Sequence, residues 1–262
     1  MLKRKYKQGG FNVLELHYLR GLESSAISSQ NHSNIDIIKI NQANENISGN
    51  LKKACTLHID LTQSNDDIFK SFRPTTRNEI RRNLNKDNVE YTCEKNLDDK
   101  RIRSFVNNLE KFSKTKNFHK DCRTDKDYML RQINDFKEHS LLTAVTINDI
   151  VLSEHLYFYD SNKARYMYGI SHRLNNIDIP RNTVGRSNRG LHWFDIQEFK
   201  KRGIKTYDLG GVTCNSADKG LQNVRKFKEG FSQNLVVEYN GNIAVSLRGR
   251  FALLVKSIIP GN

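Results

Sequence analysis

Apolar positions along this chain recur with two periods, two and near four, and the order in which those periods follow one another predicts the elements. IDIIKI at 35–40 and TLHIDL at 56–61 alternate as strands. Ser64, Asn65 and Asp66 are placed to cap a helix bearing Ile68, Phe69 and Phe72, which Pro74 is expected to stop. Thr76 and Glu79 have capping-box spacing for a second helix, RNEIRRNL. NVEYTCE at 88–94 alternates again. From Asn96 or Asp98 a longer helix sets Ile102, Phe105, Val106, Leu109 and Phe112 on one face. Beyond a loop at 117–123, Thr124 and Asp127 open a helix that turns Met129, Ile133 and Phe136 inward.

The clearest sheet signal is LLTAVTI, IVLSEHLYFY and ARYMYGIS, spanning 141–171 and joined by two short turns, an antiparallel meander. A loop from His172 to Arg186 leads into the helix LHWFDIQEFKKRG, ended by Gly203, and the strand KTYDL follows at once. A helical crossover between strands implies parallel pairing, so the sheet is mixed. A further helix, a hairpin at Asn240 and Gly241 and a packed C-terminal helix, FALLVKSII, complete the order. The expected class is α/β (α+β), with a mixed, mostly antiparallel sheet flanked by helices.

Composition sharpens this only in part. The chain has 262 residues, 37% of them hydrophobic, with a single Trp, enough for an ordinary core. No apolar run is long enough to span a bilayer, and the run from Phe11 to Leu19 is broken by Asn12, Glu15 and His17, so no signal peptide is read and a cytoplasmic enzyme is expected. A net charge of +14 fits polyanionic partners such as tRNA, nucleotide-sugars, CoA or anionic lipid. Richness in Asn, Lys and Ile offers a compositional origin for the same charge. Cys55, Cys93, Cys122 and Cys214 have neither CxxC nor zinc-ligand spacing, so no metal is implied and reduced thiols are expected.

Two segments carry the candidate chemistry. KTYDLGGV at 205–212 runs a strand into Gly210 and Gly211, whose backbone can lie against a ligand next to Tyr207 and Asp208. VRKFKEGF at 224–231 sets Lys228 between Phe227 and Phe231, with Gly230 as a turn residue. Together they resemble the signature of the FemABX-like acyltransferases, a branch of the GNAT superfamily, in which YD-L/F-GG is followed by FKxGF. The order of elements over roughly residues 96–250 is similar to that of the GNAT fold, about the last two thirds of the chain. The resemblance implies a GNAT acyltransferase domain at 96–262 and a reduced N-terminal region at 1–95, a remnant of a first such domain. It implies further that Lys228 lies by the acyl carbonyl. No tightly bound cofactor is implied; the cosubstrate is an acyl-CoA such as acetyl-CoA, or an aminoacyl-tRNA.

Acyl transfer needs a held donor, a base and a stabilised oxyanion. The GNAT donor loop corresponds to RNTVGRSNRGL at 181–191, where Arg186, Ser187, Asn188, Arg189 and Gly190 would bind phosphates, or form a basic surface loop. Arg77 and Arg81, four apart on a helix, are a phosphate or tRNA contact or a solvated basic face. Glu154 shares a strand face with Leu152, Leu156 and Phe158, so it is a base raised by burial or one half of a salt bridge. His155 faces the other way and reads as a satisfied surface or interface histidine. Asp208 binds the amine or ties down the glycine turn. The expected reaction moves an acyl or aminoacyl group onto an amine of a small-molecule or nucleotide-sugar acceptor, in sugar or cell-envelope chemistry. The alternative is a non-catalytic nucleic-acid- or envelope-binding protein on the same scaffold.

Overall fold

A computed structural model of the chain describes residues 1–21, 34–48, 50–115, 125–172 and 179–258. The loops expected at 23–34 and 117–123, with Cys122 and Thr124, lie almost wholly outside the described residues. Strands are β1 (Leu2–Gln8), β2 (Phe11–His17), β3 (Ile37–Ala43), β4 (Lys52–Asp60), β5 (Glu90–Glu94), β6 (Ser140–Ile147), β7 (Ile150–Tyr159), β8 (Lys163–Ser171), β9 (Thr206–Val212) and β10 (Leu235–Ala244). Helices are α1 (Asn65–Ser71), α2 (Pro74–Lys86), α3 (Asp99–Thr115), α4 (Lys126–Asp135), α5 (Arg181–Lys201), α6 (Lys219–Lys228) and α7 (Leu247–Ile258). The residues cluster into two units, one of 1–56, 211–221 and 235–262, the other of 57–210 and 222–234.

In the first unit β1 and β2 form a hairpin through Gly9 and Gly10, both at positive φ, as a two-residue turn requires. β2 runs parallel to β3, and β3 is antiparallel to β10. Leu16, Leu19, Ile35, Ile38, Ile40, Ala43 and Leu51 form its core. Glu15 and His17, which interrupt the apolar run in the sequence, are themselves buried. Glu15 accepts from Arg4 at 2.8 Å and lies 3.0 Å from His17 Nε2, so burial is made tolerable by pairing.

Three sequence expectations are corrected in this unit. No hairpin forms at Asn240 and Gly241; β10 is one strand with a bulge there, and Asn240 Oδ1 accepts from the Gln42 amide at 2.8 Å. Cys55 and Cys214 are disulfide-bonded, not reduced, across 159 residues of sequence, a pairing that spacing alone does not reveal. The C-terminal segment is helical as expected, but Leu247, Phe251 and Leu254 are largely exposed to solvent.

The second unit contains the expected meander, β6, β7 and β8, with β5 on its far edge and β9 parallel to β8. Ser64 caps α1 by accepting from Asp67, as expected. Pro74, however, occupies the first turn of α2, where its missing N–H is harmless, and Thr76 sits buried inside that helix with no capping role. Asp125 caps α4. In α3 the apolar stripe is inward, with Ile102, Phe105 and Val106 nearly inaccessible. The largest departure is α5, which begins at Arg181 and takes in all of RNTVGRSNRGL at 181–191, expected as a loop. Pro180 precedes its first turn, and Gly190 is accepted in mid-helix because a Cβ there would collide with Asn83 and Tyr91. The element order α3-α4-β6-β7-β8-α5-β9-α6 is the one expected from the sequence, with the single strand β10 in place of the hairpin expected after it.

Candidate active site

Lys228 is the last residue of α6 and is 7% exposed. Its Nζ lies 5.8 Å from the centroid of the Tyr166 ring. On another side is Gly210, at φ +77°, where a Cβ would stand 3.5 Å from Nζ and 2.6 Å from the Tyr166 carbonyl oxygen. The glycine is therefore required twice, by its backbone conformation and by the close approach of β8. Burial, then the positive charge of Arg165, brings the Lys228 ammonium down to about 7, against an opposing pull from Asp208. Phe227 and Phe231 flank the lysine in sequence and stack edge to face at 5.6 Å, with Phe231 fully buried. Gly230 sits against Thr76, and its carbonyl accepts from the Arg73 amide.

Asp208 organises the floor of this site. Its Oδ2 accepts from Arg165 at 2.6 Å and lies 3.3 Å from His58 Nε2 and 3.7 Å from Lys163 Nζ, while its Oδ1 accepts from the Gly210 amide at 2.8 Å. Burial alone would raise its pKa; Arg165, His58 and Lys163 outweigh that and hold it well below the usual carboxylate range. Asp208 thus ties down the glycine turn, one of its two expected roles, and also supplies negative charge beside Lys228.

Behind the lysine runs a fully buried chain of hydrogen bonds. Tyr157 OH donates to Asp195 Oδ2 at 2.6 Å, and the Tyr157 and Tyr207 oxygens are 2.6 Å apart. Tyr207 OH is 2.6 Å from His192 Nδ1. Burial, then the charge of Asp195, keeps both phenols protonated, with pKa values well above normal. Each hydroxyl has one proton, so the order is forced: Tyr157 gives its proton to Asp195, Tyr207 to Tyr157, and His192 Nδ1–H to Tyr207. The His192 Nε2 lone pair is left over. Burial, then the charges of His155, Lys228 and Arg189, keeps this imidazole neutral, well below its ordinary pKa. His155 is buried too, bonded to Asp195 at 2.7 Å and to Asn188 at 2.8 Å, so it is no surface histidine. The sequence reading missed His192 and Asp195; their i, i+3 spacing on α5 was the available signal.

The segment expected to hold donor phosphates is committed differently. Arg186 makes two hydrogen bonds to Asp87, at 2.7 and 2.8 Å; Arg189 pairs with Glu79 and lies 4.9 Å over the Phe227 ring. Ser187 accepts from Asn83, Asn188 meets His155, and Gly190 packs closely. From Gly185 to Leu191 the backbone amides lie inside the helix and do not form a phosphate-binding loop. Arg186 and Arg189 nevertheless line a cavity of about 410 Å³ together with Asn78, Glu79, Arg82, Asn182 and Gly185. Of the remaining candidates, Tyr207 spends its hydroxyl in the buried chain, and Gly211 is exposed with open space at its Cβ position. Arg77 donates to the Lys70 carbonyl, and Arg81 lies over Phe69, so both have structural employment.

Glu154 is buried on the other face of β7, toward α3, where Arg101 bonds it at 2.8 Å and Glu94 at 3.1 Å. The strand alternation that puts His155 with α5 puts Glu154 away from Lys228, and its geometry is that of a salt bridge. Glu154→Gln is therefore expected to lower stability by about 1–2 kcal/mol in denaturant titration while leaving the pH dependence of turnover unchanged. Loss of the acidic limb would return Glu154 to the role of base.

Comparison with known proteins places this geometry in a fold class. No family model and no curated protein sequence matches the chain. Among solved structures, FemX superposes with a TM-score of 0.65 at 15% identity, covering 97% of this chain and 85% of FemX. The C-terminal DUF2156 domain of an Agrobacterium fabrum protein, assigned as a lysylphosphatidylglycerol synthetase, gives 0.51 at 13%, covering 98% and 84%. L-PGS from Bacillus licheniformis gives 0.50 at 13%, covering 99% and 86%. The chain thus has the FemX-type, GNAT-like fold, and the likeness runs along nearly the whole chain, beyond the two thirds expected from motif order.

Proposed function

We propose that this protein is an N-acyltransferase of the FemABX-like type, carrying an acyl or aminoacyl group from an activated donor to an amine of a sugar or cell-envelope precursor. The observation that carries the reading is Lys228, a buried lysine held against the Gly210 backbone within a fold shared with FemX. In the reaction the amine nitrogen attacks the donor carbonyl carbon, a C–N bond forms, and the thioester C–S or ester C–O bond breaks. The proton lost by the amine goes to the departing sulfur or oxygen. Lys228, as an ammonium in a site nearly closed to water, stabilises the oxyanion between these events. Asp208 holds Gly210 in place and tempers the loss of charge on Lys228.

The donor is an acyl-CoA or an aminoacyl-tRNA, and both present phosphates to cations. The cavity lined by Arg82, Arg186 and Arg189 supports a phosphate site there, formed by side chains where a loop backbone was expected. Calorimetry is expected to show CoA binding that weakens with salt and is lost in an Arg186→Ala, Arg189→Ala double variant. A melting curve close to wild type would show that the Asp87 and Glu79 pairings are not what was lost. Charged tRNA binding without CoA binding at millimolar concentration would assign the donor to tRNA. Absence of acyl transfer from either donor would favour the non-catalytic alternative.

A further inference from the structure

We propose that α7 is an interfacial helix by which the protein docks on an anionic lipid surface. Leu247, Phe251 and Leu254 follow one another at spacings of four and three, which places them on one stripe of the helix. They are 81%, 68% and 60% exposed, although apolar side chains in the same unit are otherwise mostly covered. The opposite side of the helix is the one that is held. Gly249 lies there, and a Cβ on it would overlap the Asp36 carbonyl. Ser246 fixes the helix start by accepting from the Gly249 amide at 3.0 Å and donating to Asp36 at 2.7 Å. The apolar stripe is thereby turned outward by contacts on the far face.

Charge indicates what the stripe meets. At about 100° per residue, Arg248 and Arg250 fall on either border of the stripe and both are exposed, Arg248 with a 3.3 Å hydrogen bond to the Gly10 carbonyl that leaves its other N–H groups for a phosphate. From Leu247 to Ile258 there is no Asp or Glu. A Leu and Phe stripe bordered by arginines is the pattern of helices that lie in the plane of a membrane, apolar face among acyl chains and guanidinium groups among phosphates. A second copy of the chain fits less well. Pairing two stripes about a twofold axis would bring like arginine borders together between molecules that each carry +14. No helix among the described residues is long and apolar enough to cross a membrane, so α7 lies on the surface without spanning it.

This inference is independent of the catalytic reading and is tested without turnover. The full chain is sedimented with vesicles of mixed phosphatidylglycerol and phosphatidylcholine, and with vesicles of phosphatidylcholine alone. Binding is expected to the mixed vesicles, to weaken with salt, and to fall about tenfold or more in the triple variant Leu247→Ser, Phe251→Ser, Leu254→Ser. Arg248→Ala with Arg250→Ala should reduce it as well. Because the three apolar residues are exposed, the triple variant should melt like the wild type. No vesicle binding, equal binding to phosphatidylcholine alone, or an unaltered triple variant would each overturn the proposal. So would a wild type that is dimeric in solution and a triple variant that is monomeric, since the stripe would then be a self-interface.

Discussion

Lys228→Met is expected to lower kcat by about a hundred- to a thousandfold while leaving donor affinity and the fold nearly unchanged. A fixed ammonium near a reacting carbonyl binds the oxyanion more strongly than the ground state, so removing it acts on the chemical step. The loss of one such donor is worth roughly 3–4 kcal/mol. Methionine fills the same space without charge, against the Tyr166 ring and the Gly210 backbone. The pH dependence provides a second check. With the ammonium near 7, kcat should decline as pH rises through that value and the lysine deprotonates. Lys228→Arg, which stays charged, should lose this alkaline limb while keeping part of the rate. A donor KM that rises in Lys228→Met while kcat holds would make Lys228 a binding cation and defeat the mechanism.

Asp208→Asn should destabilise the protein by about 3–5 kcal/mol, the usual consequence of removing one member of a buried charge cluster. The asparagine is close to isosteric, so the effect is electrostatic: Arg165 and Lys163 remain buried without their carboxylate, next to Lys228. The same change removes the charge that holds the Lys228 pKa up, so the alkaline limb of kcat should move to lower pH. The sign for wild-type stability follows from the depressed Asp208 pKa. Its contribution is fully present above the unfolded carboxylate value near 4 and is lost as pH falls through the lower folded value. A urea titration in which Asp208→Asn matches wild type, or an unmoved alkaline limb, would remove Asp208 from this role.

Much of the scaffold was written locally in the chain. The meander of β6 to β8 was legible because strict alternation and short polar turns leave one register that buries Leu152, Leu156 and Phe158 together. The inward stripe of α3 followed from its helical period, and Lys228 with Gly210 stood out because a lysine between phenylalanines and a glycine at a strand end are locally unusual. Other features were decided by partners distant in sequence. RNTVGRSNRGL has glycines and arginines that suit a basic loop, and it is helical because Asp87, Glu79, Asn83 and His155 satisfy its side chains. The bridge between Cys55 and Cys214 spans 159 residues and leaves no trace in spacing. Glu154 and His155 are adjacent, and only the helices packed on each face made one a salt-bridge partner and the other part of a buried network. The proton order from His192 to Asp195 depends on side chains from β7, α5 and β9 meeting within hydrogen-bond distance. Periodicity records which face of an element is apolar; which polar groups meet across that face is set by packing between elements far apart in sequence.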